Sequence, residues 1–261
     1  MKSKAPTDKS DEIQIEQLNV VTYSGVLIGE SPLILNAMSE KTRHELLYPS
    51  KENKRKSGNL KHDPLEEYRS SVYRLEADAP TLLAFPASGI KRSIMSAALD
   101  AKNTSKAQIG RLVWVKGTYL PVYGTPQIFM APVRSADMNK TLDIRTRCIL
   151  PKWAIPFEIQ FVGDVLNSTS VINLLGRAGL TIGIGDWRSE KGSGTYGQFK
   201  VAPLSDSEAK AIMKQARTTQ DFGMKSPSFF NSETQTLYKW FVETREVRGT
   251  KQNTKDKREA A

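Results

Sequence analysis

The sequence predicts an α+β fold, a sandwich with helices on one face of a mainly antiparallel sheet. Three observations predict it. "KWAIPFEIQFVG" (Lys152–Gly163) alternates Trp153, Ile155, Phe157, Ile159 and Phe161 with polar or proline partners, the period of a half-buried strand. Two segments, near residues 88–98 and 167–178, carry apolar residues at helical spacing behind capping residues. Between them, "GRLVWVKGTYLPVYGTPQIFMAPVR" is punctuated by Gly and Pro and reads as at least two strands.

Taken in order, residues 1–12 are polar and charged and read as a disordered lead, and Ile13–Ile28 is rich in Ile, Val, Thr and Tyr, a first strand. Ser39 caps a helix bearing Leu46 and Leu47, with Glu40 in its positive first turn. "PSKENKRKSGNLKHDP" (Pro49–Pro64) holds Lys51, Lys54, Arg55, Lys56 and Lys61 and reads as a mobile basic loop. "PLEEYRSSVYRL" is a short helix. Ser88 is the expected cap of the next one, placing Ile90, Ile94, Met95 and Ala98 on one face. Lys91 and Arg92 then fall in its first turn, where the helix dipole disfavours cations unless an anion is near. Residues 134–148 are polar and read as a loop.

Asn167 or Ser168 starts a helix carrying Val171, Leu174, Leu175 and Ala178, with Gly179 as its terminating glycine. A glycine-rich stretch follows and ends in a strand at "GQFKVAPL". The remainder is helical, with capping-box spacing at Ser205/Glu208 and Ser232/Gln235 and an apolar face of Leu237, Trp240 and Phe241. "TKQNTKDKREAA" closes the chain as a charged tail. The organisation is therefore a core over residues 13–203 with the basic insertion at 49–64, then a helical extension and tail over 204–261.

The 261 residues carry 38 Lys+Arg against 28 Asp+Glu, a net charge of +10, and a pI near 9.6. Such an excess points to a polyanionic partner, with plain solubility as the bland alternative. A mean hydropathy of −0.43 and the lack of a long apolar run exclude a membrane-spanning reading. The N-terminus has no apolar core of a signal peptide. One cysteine, Cys148, and two histidines make an internal disulfide impossible and a zinc site unsupported. A cytoplasmic protein without a metal or cofactor is the expectation.

The densest signal is "GLTIGIGDWRSEKGSGTYGQFKV" (Gly179–Val201). It fails the dinucleotide fingerprint, because Arg188 stands where the third glycine belongs after Gly183 and Gly185. It fails the P-loop pattern, because Gln198 and Phe199 follow Gly192 and Gly197. Two readings remain open. Arg188 and Lys191 contact phosphates while Trp187 or Tyr196 stacks on bases; or the stretch is a tight hairpin with a buried Trp187. His44 and His62 lack a nucleophile nearby and read as solvated surface histidines. Asp137, Asp143 and Asp186 show no ligand spacing, and Cys148 reads as a small buried hydrophobe.

Three stretches together resemble a family. "FPASGIKRSIMSAALDA" (Phe85–Ala101) is similar to the proline, small-residue, Ser-hydrophobic-Lys-Gly and helix signature of the RAMP (repeat-associated mysterious protein) superfamily, the RNA-binding subunits of CRISPR effector complexes. Gly89, Ile90, Lys91 and Arg92 occupy that segment, and Arg92 departs from the usual small residue. "GIGDWRSEKGSGTYGQFKV" resembles the superfamily's glycine-rich loop, and "LIGESPLILNAMSEKT" the loop after its first strand.

The resemblance implies a modified ferredoxin-like (RRM-like) domain with inserted loops, holding single-stranded RNA as a backbone-type subunit beside copies of itself or other subunits. The insertion at 49–64 or the loop near 134–148 would be its inserted element. The family also contains ribonucleases, but no His or Asp here matches their sites, so the expected protein is not an enzyme. A phage- or plasmid-type single-stranded DNA-binding protein, a RAMP-type endoribonuclease and an assembly subunit with an acidic partner are the alternatives. The expected nucleic-acid-binding set is Lys54, Arg55, Lys56, Lys91, Arg92, Gly183, Gly185, Trp187, Arg188, Lys191 and Tyr196.

Overall fold

A computed structural model describes residues 16–47, 62–134, 142–191, 194–215 and 217–259. Lys54, Arg55 and Lys56, most of the basic insertion, Asp137 and Gly192 lie outside the described residues. The fold is mixed α+β, with mainly antiparallel sheets and helices packed on them.

The strand β1 (Val20–Gly29) leads to β2 (Leu33–Leu35), α1 (Glu40–Leu47), α2 (Pro64–Ser70), β3 (Tyr73–Arg74) and β4 (Leu83–Pro86). Next come α3 (Ala87–Ala97), α4 (Lys106–Leu112), β5 (Val113–Val115), β6 (Tyr119–Pro121), β7 (Gln127–Arg134) and β8 (Leu142–Leu150). Then follow β9 (Ala154–Val162), α5 (Ser168–Arg177), β10 (Phe199–Ala202), α6 (Ser207–Met213), α7 (Arg217–Lys225), β11 (Ser228–Phe229) and α8 (Ser232–Glu259).

The first sheet has the order β10-β1-β9-β5, every neighbouring pair antiparallel. Its strands thus interleave two β-α-β units, β1-α3-β5 and β9-α5-β10. The alternation read in β9 lies on the core face: Trp153, Ile155, Phe157, Ile159 and Phe161 are all buried. Each such side chain contributes about 1.5–3 kcal/mol of transfer free energy. The Trp153 indole N–H donates to the Ser31 carbonyl at 2.8 Å, so the largest buried ring leaves no polar atom unsatisfied. Across the sheet, α6 covers Val26, Ile28, Ala154 and Ala202 with Ala209 and Ile212.

The second sheet, β11-β7-β8-β2, is built from segments inserted between the strands of the first, plus the C-terminal β11. The third, β3-β4-β6, is small. Helix α7 ties it down through Gln220, whose carbonyl accepts from Leu82 and Leu83 N–H and whose amide donates to Val122 and Gly124. All four hydrogen-bonding positions of that buried side chain are filled. Arg217 adds bonds to the carbonyls of Glu76, Ala79 and Thr81.

Several local expectations change. The polar stretch read as a loop forms β8 from Leu142 onward, because Ile144, Thr146 and Cys148 alternate with Asp143, Arg145 and Arg147 and pair with β7. Asp206, not Ser205, caps α6, and Asn231 rather than Ser232 supplies the carboxamide oxygen to the Thr234 N–H. In both cases an Asp or Asn one residue away offers an equal or better acceptor. Gly179 does not end α5; a π-helical turn, Ala178–Ile182, continues it, and Gly183 at φ 72° terminates it. Leu46, Leu47 and Trp240 are exposed, so α1 and α8 do not bury those residues. Helix α8 runs on to Glu259, into the segment read as a charged tail. Cys148 is fully buried and burial pushes its thiol pKa up, which removes it as a reactive group.

Candidate nucleic-acid interface

Helix α3 begins one residue after β4. Pro86 holds the N-cap position with no side-chain cap, Ala87 N–H donates to the Thr118 carbonyl, and Ser88 lies inside the helix rather than capping it. Lys91 and Arg92 therefore sit in the second turn, clear of the unfavourable dipole, and their presence there needs no anion to explain it. The buried face of α3 carries Ser93 and Ser96 three residues apart. Ser93 donates to the Gly183 carbonyl at 2.9 Å and Ser96 to Glu190 Oε1 at 2.6 Å. Two hydroxyls on one helix face thus fasten the glycine-rich loop to α3.

That loop folds on itself and on β2. Ile184 N–H donates to the Gly197 carbonyl, Gly197 N–H to Pro32 and Asp186 N–H to Ile34. Gly197 has φ 70°, and a Cβ there would stand 1.7 Å from the Ile184 carbonyl oxygen, so only glycine fits. Trp187 takes a positive φ of 52° and packs edge-on against Phe129 at 5.8 Å, with Tyr196 6.0 Å from it. Both rings lie on the second sheet with Phe230 and are half-buried there.

A cleft of about 270 Å³ opens where α3, the loop and the third sheet meet, lined among others by Asn36, Tyr73, Pro86, Gly89, Arg92, Gly185 and Arg188. Of the expected set, it brings together Arg92, Gly185 and Arg188. Gly183 stands just behind, through its bond to Ser93. Lys91 is half-buried on α3 and Lys191 exposed on the loop; neither lines the cleft, nor do Trp187 and Tyr196.

The two arginines differ. Arg92 is exposed and makes no hydrogen bond or ion pair among the described residues. Arg188 is held by the Gly185 carbonyl at 3.1 Å and by two bonds to Glu190 Oε2, at 3.0 and 2.7 Å. The Ser96 hydroxyl, followed by Arg188, holds the Glu190 carboxyl pKa below the usual carboxylate range. Asp186 accepts from the Asn36 amide at 2.9 Å and lies 3.7 Å from Arg147 Nε.

Sequence reasoning missed Glu190, Asn36, Tyr73 and the β8 arginines. Period-two alternation over 142–148 was the available signal for β8. Arg145 and Arg147 line an adjoining cleft of about 340 Å³ with Asn36 and Ser39. Burial lowers the Arg147 pKa, with Asp186 opposing, and its Nε has no hydrogen-bond partner among the described residues.

His62 is not a solvated surface residue. Its Nδ1 lies 2.5 Å from Glu67 Oε1 and its Nε2 2.8 Å from Asp143 Oδ1, because β8 brings Asp143 beside α2. Both ring nitrogens are occupied, which leaves His62 to join α2 to β8. His44, by contrast, is exposed and 3.9 Å from Glu40. Among the described residues no group of three or more His, Cys, Asp or Glu side chains is arranged to hold a metal ion, and no helix is long and apolar enough to cross a membrane. The cleft offers two arginines, a loop backbone and a tyrosine, with the Asp186 carboxylate, held by Asn36, also on its wall. No protein-family model matches the chain, and no curated protein matches it.

Proposed function

We propose that the chain is a non-catalytic, single-stranded nucleic-acid-binding protein on a modified ferredoxin-like (RRM-like) scaffold, acting as a backbone-type subunit of a CRISPR-like ribonucleoprotein in the cytoplasm. One observation carries the reading: the α3 segment and the glycine-rich loop, 90 residues apart at Ser93 and Gly183, meet around one cleft with an Arg92 that has no partner among the described residues. The net charge of +10 supplies the long-range attraction for a strand. The interleaved β-α-β order of the first sheet supports the scaffold.

In this reading Arg92 takes a phosphate directly. Arg188 is held in place by Glu190 and presents the rest of its guanidinium to the strand. Fluorescence anisotropy of labelled RNA and DNA oligonucleotides over a salt series tests the reading. Binding that weakens linearly in log salt supports it, because phosphate contacts release counterions. No binding at low salt, or binding without a slope, overturns it. Tighter binding of DNA than RNA moves the reading to a replication or recombination protein on the same scaffold.

A further inference from the structure

We infer that Tyr73 and Tyr119 form a base-stacking subsite beside Arg92, its ligand an unpaired nucleobase of the strand whose phosphate that arginine holds. This rests on the nucleic-acid reading above and assigns its aromatic part to residues other than Trp187 and Tyr196. In the third sheet Tyr73 pairs in register with Ala84, and Tyr119 with Pro86. Paired antiparallel residues project to the same side, so both tyrosines share a face with Pro86. Pro86 and Tyr73 line the Arg92 cleft. The two rings are 5.2 Å apart at 34°, and Tyr119 is 42% exposed. Neither hydroxyl makes a hydrogen bond among the described residues, which leaves both available to sugar or base edges.

The platform is stiff. Arg217 and Gln220 fasten the β3–β4 turn and β4 itself, and Phe85, on the opposite side of β4, is in the core. Tyrosine presents a broad ring at the cost of two torsions, so a base gains contact area with little ordering penalty. Stacking on an open ring requires a base free of its duplex neighbours, which selects single strands without selecting sequence. Arg92 supplies the complementary charge on the cleft wall.

The test is anisotropy with a base-bearing oligonucleotide and with an abasic strand of equal length, on the wild type, Tyr119→Ala, Tyr73→Ala, Tyr119→Phe and Arg92→Ala. Tyr119→Ala is expected to weaken binding of the base-bearing strand by roughly 5- to 150-fold. It should leave the salt slope and the abasic strand's affinity unchanged, and Tyr119→Phe should retain binding. Tyr73→Ala checks the same loss from the other ring. Wild-type affinity in both alanine variants, while Arg92→Ala still lowers the slope, overturns the stacking subsite and leaves the nucleic-acid reading standing. An equal loss on the abasic strand also overturns the subsite. Failure of the wild type to bind either strand overturns both.

Discussion

Replacing Arg92 with alanine removes an exposed guanidinium that spends none of its charge on a described neighbour. No partner among the described residues has to be unpaired, so the change acts on the bound state. One charge-assisted contact to phosphate is worth about 1.5–3 kcal/mol, a loss of roughly 10- to 150-fold in affinity at low salt. Each single-strand phosphate contact also contributes about 0.7 to the slope of log affinity against log salt. The variant's slope should therefore be shallower by about 0.7, and its deficit should shrink about 2.6-fold between roughly 50 and 200 mM salt. Arg188→Ala is the contrast, because Glu190 already compensates that charge at 2.7 Å. It should change the slope less. Anisotropy titrations across the salt series read both quantities, with circular dichroism as the check on folding. An unchanged slope in Arg92→Ala, or a larger change in Arg188→Ala, would refute the assignment of Arg92 as the free phosphate ligand.

Gly197→Ala forces an L-residue to φ 70° with its Cβ against the Ile184 carbonyl, while two backbone bonds hold the N–H and carbonyl of residue 197 in place, and should cost about 3 kcal/mol or more. For a chain of this size the melting temperature should fall by about 6–12 °C, read by differential scanning calorimetry. Trp187→Ala empties a half-buried aromatic contact with Phe129 and should lower stability by about 2 kcal/mol while leaving the folded protein's affinity intact. A loss of affinity at unchanged melting temperature would instead place Trp187 on the strand. The Glu190 pKa is lowered in the folded state, so its contribution is present at neutral pH and is lost as pH falls through the lowered value. Glu190→Gln should accordingly show a shallower fall in melting temperature between about pH 5 and pH 3 than the wild type.

Local patterns were legible wherever one residue's environment repeats along the chain. Strand β9 follows from alternation, the Asn167 cap from a short acceptor before an apolar helix, and the burial of Cys148 from the apolar character of a free thiol. Position 88 was misread because β4 hands directly to α3 through Pro86. That junction depends on pairing with β6, which no local pattern encodes. His62 was misread for a similar reason: one of its partners, Asp143, is 81 residues away.

The amino-acid sequence by itself determined the basic character of the protein, its α+β class and the two segments that line the candidate cleft, because charge and periodicity are properties of the chain. Only the tertiary structure decided what those residues touch. The loop glycines are explained by close packing of backbone on backbone, and Trp187 and Tyr196 by an aromatic cluster with Phe129. Arg188 is bound to Glu190, whereas Arg92, lining the same cleft as Tyr73, has no partner among the described residues. A side chain's availability depends on which distant partner satisfies it first, and that is settled by the fold.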